Sequence, residues 1–499
     1  MADLTPRTDG EDGVGSDLLD SRRAGGVLLR GSVLRFGGFV TTVALSVVSA
    51  TLLTRHLGVA RFGQYTTVMS LVAVVAAVTD AGMSTYGTRE YAIRREPGRS
   101  AFMQILLGLR VVLTLAGVLL TVAFALAAGY DTALLLGALT ASLSTVPLVF
   151  QHTLSIPLSA ELRLGTVSAL EVARQAVLVA ALVALIVAGA GVLPLLTVPL
   201  ITNSLLIPPT TVLVRGRISA RLRITPGQWP PLLRATVVFS LATAVGTIYV
   251  YTAQILTSLV TSRYQSGLFA VSFRVFIVIS AVPGLLVGGT LPLLARAARD
   301  DRERLAYALQ RVFDVSLILG VAAVLGTLAG APFIIEVIAG RGYAGATEAL
   351  RIQGVALLAS FLLAGWSFAL LSLKRHAVLL LINLAAFLTS CLLTLLLASS
   401  HGATGAAVAT VCGETVLAVG SLVALIRGHP EFRPRLGVVL KVVLASLPAV
   451  VLVLLVEIPS IWLALLALAA YGLLILVTRA VPEELLELIP RRLRRGTLS

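Results

Sequence analysis

Two arginines stand inside long apolar stretches of this chain, Arg110 and Arg274. Holding a charge at mid-membrane depth costs about 3 kcal/mol or more, so such a residue asks for a functional account first. A guanidinium stays protonated at any relevant pH, and its planar fork makes bidentate, charge-assisted bonds to phosphate. The chemistry open to these two residues is therefore the binding of a phosphate-like anion in a cavity. Two carboxylates lie in similar surroundings, Glu414 and Asp80. A carboxylate in low dielectric favours partners that neutralise it, so either could take up and release a proton or a sodium ion. The plainer alternatives are packing roles: each arginine paired with a buried carboxylate or a helix carbonyl, Asp80 capping its helix before Gly82, and Glu414 holding an arginine of a neighbouring helix. Arg89 and Glu90 read as a cytoplasmic gate or a simple ion pair. Glu171 and Arg174, three apart on one helical face, read as an ordinary surface pair.

The elements that must position these residues are membrane helices. With 57% hydrophobic and 13% charged residues and a mean hydropathy of +0.97, the chain of 499 residues holds more apolar surface than one soluble core could hide. A helix needs about 20 apolar residues to cross roughly 30 Å of hydrocarbon. Runs of that size between charged or Gly/Pro breaks cover 36–54, 64–87, 102–128, 132–158, 167–190, 193–214, 235–262, 266–294, 315–338, 352–373, 377–399, 403–426, 437–456 and 458–478. They predict an all-α, polytopic protein of about fourteen transmembrane helices.

Charge gives an independent test, because Lys and Arg should collect in every second connection. Of the 39 basic residues, 32 fall on one side of this topology, counting Arg174 and Lys441 toward the ends of their runs with that side, five fall on the other, and Arg110 and Arg274 remain within spans. The richer side is expected to be cytoplasmic and to hold both termini, in a cell membrane. The expected organisation is a disordered N-tail over 1–33, an N-lobe over 34–214, a cytoplasmic connection over 215–234, a C-lobe over 235–426, two extra helices within 437–478 and a basic C-tail over 479–499. The two six-helix lobes would share orientation and enclose a central cavity. Membrane lipids are expected partners of the arginine clusters. The net charge of +15 is punctuation between apolar runs, not one patch, and so points away from nucleic acid. Cys391 and Cys412 lie in apolar stretches and read as packing residues. No metal site or organic cofactor is expected beyond the coupling ion.

Several stretches carry a resemblance. The first outer loop reads Arg55-His56-Leu57-Gly58, then Arg61-Phe62-Gly63-Gln64-Tyr65, followed by Asp80-Ala81-Gly82 and Thr88-Arg89-Glu90-Tyr91-Ala92. Later come Ser266-Gly267-Leu268-Phe269-Ala270, Tyr343-Ala344-Gly345-Ala346 and the run Gly402-Ala403-Thr404-Gly405 to Thr410 with Glu414. Over about residues 30 to 430 the chain resembles the polysaccharide biosynthesis proteins, the Wzx-type oligosaccharide flippases of the multidrug/oligosaccharidyl-lipid/polysaccharide (MOP) exporter superfamily. It departs from their pattern in having Leu268-Phe269 where a Gly-x-Tyr motif is frequent, and Gln254 where an acid is frequent. The resemblance implies alternating-access transfer of a polyprenyl-pyrophosphate-linked saccharide to the outer leaflet, with the lipid tail left in the bilayer. It also implies work beside polysaccharide polymerases or glycosyltransferases. On that reading Arg110 and Arg274 sit at opposite ends of one cavity and hold the pyrophosphate. Arg35 guides the headgroup in, or only anchors its helix at the interface. Arg55 and Arg61, basic residues on the outer side, receive the exported diphosphate.

An enzyme acting on such lipids would need catalytic groups on a sizeable outer loop, and the outer loops are short. No nucleotide-binding glycine loop or zinc-spaced His/Glu cluster appears either. An exporter of organic cations would want an acidic, aromatic-lined cavity. Two intramembrane arginines and 6% aromatics fit an anionic substrate better. A peptidoglycan-precursor flippase shares that anionic chemistry and is the nearest alternative.

Overall fold

A computed structural model describes residues 22–80, 82–217, 223–288, 302–456 and 458–480. Every regular element among them is helical, as hydrocarbon demands: with no water to pair backbone N–H and C=O groups, a spanning segment must satisfy them internally. Eleven of the helices are long and apolar enough to cross a membrane. Large apolar side chains such as Leu119, Val187, Leu381 and Leu455 face outward, which suits lipid and not water. The chain is a multi-pass membrane protein.

Two of those eleven stretches are sharply broken. The helix Arg22–Asp80 (α1) loses helical geometry at Gly58, and His376–Gly428 (α14) loses it at Gly402, with φ 60° and ψ −131°. At the second break the chain turns back on itself. A Cβ on Gly405 would fall 2.1 Å from the carbonyl oxygen of Leu397, eight residues earlier, whereas a straight helix would put roughly 12 Å between those levels. Gln265 fastens the turn by accepting the Ala403 backbone N–H at 3.0 Å.

Several expected boundaries shift. The run 132–158 is three short helices, Thr132–Leu143 (α4), Thr145–Leu154 (α5) and Ile156–Ala160 (α6). Pro147 and Pro157 each remove a backbone donor, and the Ser144 carbonyl at the first break is taken up by the Asn203 amide at 3.0 Å. Likewise 193–214 divides into Val192–Leu205 (α8) and Ile207–Leu213 (α9) ahead of Pro208 and Pro209. The N-tail expected to be disordered over 1–33 is helical from Arg22, where no proline interrupts the approach to the first span. Residues 1–21 lie outside the described part, as do 481–499 of the C-tail. The connection expected over 215–234 ends earlier, because Trp229–Val260 (α10) starts with prolines in its first turn, where their missing N–H costs nothing.

The remaining helices are Met83–Ile93 (α2), Gly98–Ala127 (α3), Leu164–Val187 (α7), Arg263–Gly288 (α11), Arg302–Ala339 (α12), Ala346–Ser372 (α13), Gly437–Leu455 (α15) and Ser460–Val477 (α16). α1 packs on α7 within its own half and on α10 and α11 of the other half. α15 and α16 lean on α12, where Gly326 and Gly330 admit Leu468 and Ala464. The largest apolar core draws on both halves, and its residues flank the arginine-poor connections: Leu57 and Phe62, Ala125 and Leu134, Leu268, Ala339 and Tyr343, Ala398 and Ala403. The halves are bolted at that same end. Thr54 Oγ1 donates to the Ile338 carbonyl at 3.0 Å, Tyr343 Oη to the Thr54 carbonyl at 3.1 Å, and Arg263 meets Asp131 at 3.3 Å. Backbones touch where α11 crosses the second part of α1: a Cβ on Gly267 would lie 2.0 Å from the Val59 carbonyl oxygen. Toward the arginine-rich end the apolar clusters are smaller and keep largely to one half.

Candidate functional site

Between the halves lies a cavity of about 270 Å³, walled by α1, α7, α10 and α11. Arg274 is the one charged residue on its wall among the described residues; the polar remainder is hydroxyl or amide, including Ser46, Ser70, Gln175 and Gln254. Aromatic rings of Phe62, Tyr65, Tyr251 and Phe273 complete it. Helical spacing explains the wall: Ala270, Phe273, Arg274 and Ile277 recur at three- and four-residue steps and so share one face of α11. Arg274 is exposed into this space and donates to Ser46 Oγ across the seam between the halves. Gln254 ties the wall together through Ser266 Oγ at 3.0 Å and Thr67 Oγ1 at 3.4 Å.

Arg110 is placed differently. It is 0% exposed, does not line that cavity, and pairs with Asp80 at the end of α1. Asp80 also accepts from Ser84 Oγ at 2.6 Å. The Arg110 Nε and Nη1 find no hydrogen-bond partner among the described residues, so one carboxylate oxygen carries most of the compensation for a fully buried cation. The two arginines expected at the ends of one cavity thus have separate surroundings: one free to meet a ligand, one committed to a neighbouring helix. Near the pair, His152 lies within electrostatic reach of Asp80, Arg110, Glu171 and Arg174. Glu171 and Arg174 form the expected pair, with Arg174 Nε donating at 3.1 Å.

Glu414 is buried in a small cavity of about 80 Å³ lined by Tyr249, Phe273, Ile277, Ser390 and Thr410 among others. Its carboxylate accepts from Ser360 Oγ at 2.7 Å and from Tyr249 Oη at 3.1 Å. Its partners are hydroxyls, not the arginine of a neighbouring helix. Phe273 and Ile277 line this cavity and the central one alike, so the acid and Arg274 are separated by one layer of side chains.

The other expected residues fall as follows. Arg55 Nη2 donates to the Val337 carbonyl at 2.7 Å, which makes it part of the closure at the arginine-poor end. Arg89 is exposed, while Glu90 pairs with Arg94 at 2.9 Å and not with Arg89. The side chain of Arg35 lies outside the described residues. No group of three or more metal-ligating side chains occurs among the described residues, and both cysteines are free. Sequence reasoning passed over Ser46, Tyr249, Ser360 and His152. Tyr249 and His152 carry a signal, a polar ring inside an apolar run, whereas serines in membrane helices are too common to single out.

Comparison with known proteins agrees with this architecture. The profile of the family described as "Polysaccharide biosynthesis protein" matches residues 52–348. No curated protein sequence matches the chain. Among solved structures, the lipid II flippase MurJ in an inward closed conformation superposes with a TM-score of 0.74 at 14% identity, over 91% of this chain and 98% of that one. An inward-facing multidrug resistance MATE family transporter of the MOP superfamily gives 0.64 at 15%, over 80% and 98%. A MOP superfamily transporter from Pyrococcus furiosus, described by the reversed polarity of its binding pocket, gives 0.56 at 15%, over 85% and 100%. The fold is the one shared by flippases and exporters of the MOP superfamily.

Proposed function

This chain belongs to the polysaccharide biosynthesis protein family, and we propose that it moves a polyprenyl-pyrophosphate-linked saccharide from the cytoplasmic leaflet of the cell membrane to the outer one. The observation that carries the reading is Arg274, the one charged residue among the described residues that line the cavity, whose other polar lining is hydroxyl and amide. Its fork suits the diphosphate, and the serines, Gln175 and Gln254 suit sugar hydroxyls. The isoprenoid tail is apolar enough to stay in lipid throughout. A cavity for organic cations would carry the opposite charge.

In the mechanism we infer, the arginine-rich end is cytoplasmic and the two lobes rock about the central cavity over a cycle of about fourteen transmembrane helices. The structure's bolted arginine-poor end corresponds to the state that loads from the cytoplasm. Arg35 guides the headgroup toward Arg274, and Arg89 and Glu90 flank the way in. On rocking, the Thr54, Tyr343 and Arg263 bonds part, and Arg55 and Arg61 receive the diphosphate on the far side. Glu414 supplies the coupling: binding a proton or a sodium ion there competes with its Tyr249 and Ser360 bonds. Tyr249 shares α10 with Tyr251 and Gln254 of the central cavity, so the change is passed directly to the substrate wall. Asp80 has its charge committed to Arg110 and acts through that pair.

The test is to delete the gene and measure polyprenyl-pyrophosphate-linked saccharides in the membranes by mass spectrometry. Accumulation of a lipid-linked saccharide, cleared by the wild-type gene and not by Arg274→Ala, is the expected outcome. Accumulation of the peptidoglycan precursor would identify that lipid as the cargo instead. Unchanged lipid-linked sugars with raised sensitivity to cationic toxins would overturn the reading in favour of drug export.

A further inference from the structure

A second, larger cavity, about 750 Å³, lies at the arginine-rich end, away from the central one. Its walls are the first turns of α12, the segment that joins α14 to α15, and the first turn of α15, with lining residues between 431 and 441. Five bases line it, Arg302, Arg311, Arg433, Arg435 and Lys441, against the acids Glu303, Asp314 and Glu431. Two of the acids are already engaged. Glu431 meets Arg302 at 3.3 Å and His429 at 3.2 Å, and Asp314 accepts from Gln310 Nε2 at 2.7 Å. Arg433 and Arg435 are exposed and have no carboxylate partner among the described residues. Among the described residues, Lys441 Nζ donates to a neutral acceptor, the Arg479 carbonyl, at 3.2 Å. Positive charge is therefore concentrated on one wall of a concave site.

That wall is built to hold its shape. The Gln310 side chain clamps the backbone of Arg435 from both sides, accepting its N–H at 2.7 Å and donating to its carbonyl at 3.2 Å. Phe432 is buried in the apolar cluster beneath. Above it, α15 begins and presents Leu440, Val443, Leu447, Val451 and Leu454 outward at three- and four-residue intervals, continuing the exposed Leu436. A basic recess at interface depth thus stands at the foot of an apolar stripe facing lipid. Tyr307, exposed at the rim, has the amphipathic ring that favours the headgroup level.

We propose that this groove binds the phosphate headgroup of an anionic lipid of the arginine-rich leaflet, whose acyl chains lie along the outer face of α15. Headgroup phosphate meets Arg433, Arg435 and Lys441, and the apolar stripe distinguishes a lipid from free phosphate. The site stands apart from substrate transfer and locks α15 to α12 when occupied. It does not depend on what the central cavity carries.

The full chain purified in detergent is examined by native mass spectrometry and thermal unfolding with phosphatidylglycerol, phosphatidylcholine or inorganic phosphate added. We expect phosphatidylglycerol alone to bind and to raise the unfolding midpoint. Arg433→Gln with Arg435→Gln should weaken that binding roughly thirtyfold. Arg95→Gln with Arg215→Gln, the same charge removed from other exposed positions, should change it about twofold or less. Equal loss in both double variants would mean diffuse surface charge and overturn the proposal. Equal protection by inorganic phosphate would mean a free-anion site and overturn it as well. A photoactivatable phosphatidylglycerol on the wild-type chain needs no variant: labels should fall in 302–311 or 430–455, and labels confined to other segments would sink the idea.

Discussion

Arg110 and Arg274 are the same residue type, each inside an apolar helix, and what separates them is the neighbour each finds. Arg274 meets a serine hydroxyl and keeps its charge available; Arg110 meets Asp80 and spends it. Substituting Arg274 by Gln should lower transport in a lipid-linked-sugar assay by about tenfold to a hundredfold, the worth of a charge-assisted bond, with no change in unfolding midpoint. Arg274→Lys should recover only part, since an ammonium lacks the fork. Asp80→Asn should act oppositely, costing roughly 3 kcal/mol of stability by leaving a buried cation uncompensated. Its detergent unfolding midpoint should drop, and Asp80→Asn with Arg110→Gln together should recover most of the loss. Composition alone could mark both arginines as candidates, because charge in an apolar run is visible in the sequence. Which of them faces a cavity depends on helix rotation, and that is decided by partners up to 30 or 228 positions away in the chain.

At the scale of elements the apolar runs were legible because lipid imposes a length on each, and most of every run is helical among the described residues. Less legible were the breaks. Ser144 and Leu206 interrupt helices where a neighbouring side chain or a following proline decides the matter, and the break at Gly58 and the turn at Gly402 rest on single glycines inside otherwise helical stretches. Gly402 has a conformation that other residues avoid, and a Cβ there would lie 2.6 Å from Gln265 Oε1. Gly402→Ala should therefore cost about 1–3 kcal/mol, read as a lower unfolding midpoint, while Gly437→Ala, which meets nothing within 4 Å, should not. The turn at Pro430–Phe432 carries a pH dependence. Glu431 is held below the usual carboxylate range by its own backbone N–H, then by His429 and Arg302. A depressed carboxylate lends its stability above the unfolded-state value and loses it as pH falls through the folded one. Exchange protection of amides 429–435, corrected for intrinsic rate, should thus fall on acidification below about pH 4. Glu431→Gln should flatten that response.

For the whole molecule the decisive asymmetry is between the two ends. One large core and a set of bonds join the halves at the arginine-poor end, and the clusters toward the other end stay mostly within a half. An alternating-access cycle needs the first arrangement to come apart, so its stability is a population term and not simply a contribution to folding. Gly63 and Gly267 make the closure possible by letting backbones meet: a Cβ on Gly267 would strike the Val59 carbonyl, and one on Gly63 the backbone of Gly267 and Arg263. Gly267→Val should consequently shift the population toward a state open at the arginine-poor end without unfolding the chain, because each half keeps its own packing. With Cys391 and Cys412 replaced by alanine and a single cysteine placed at Thr66 on the cavity wall, a membrane-impermeant thiol reagent added from that side reports the shift. Labelling should be slow in the Gly267 background and several-fold faster with Gly267→Val, as expected where a conformational gap of a few kcal/mol is narrowed. Unchanged labelling from that side, with the variant folded, would mean that the glycine contact serves packing alone and that the closure is not the moving gate.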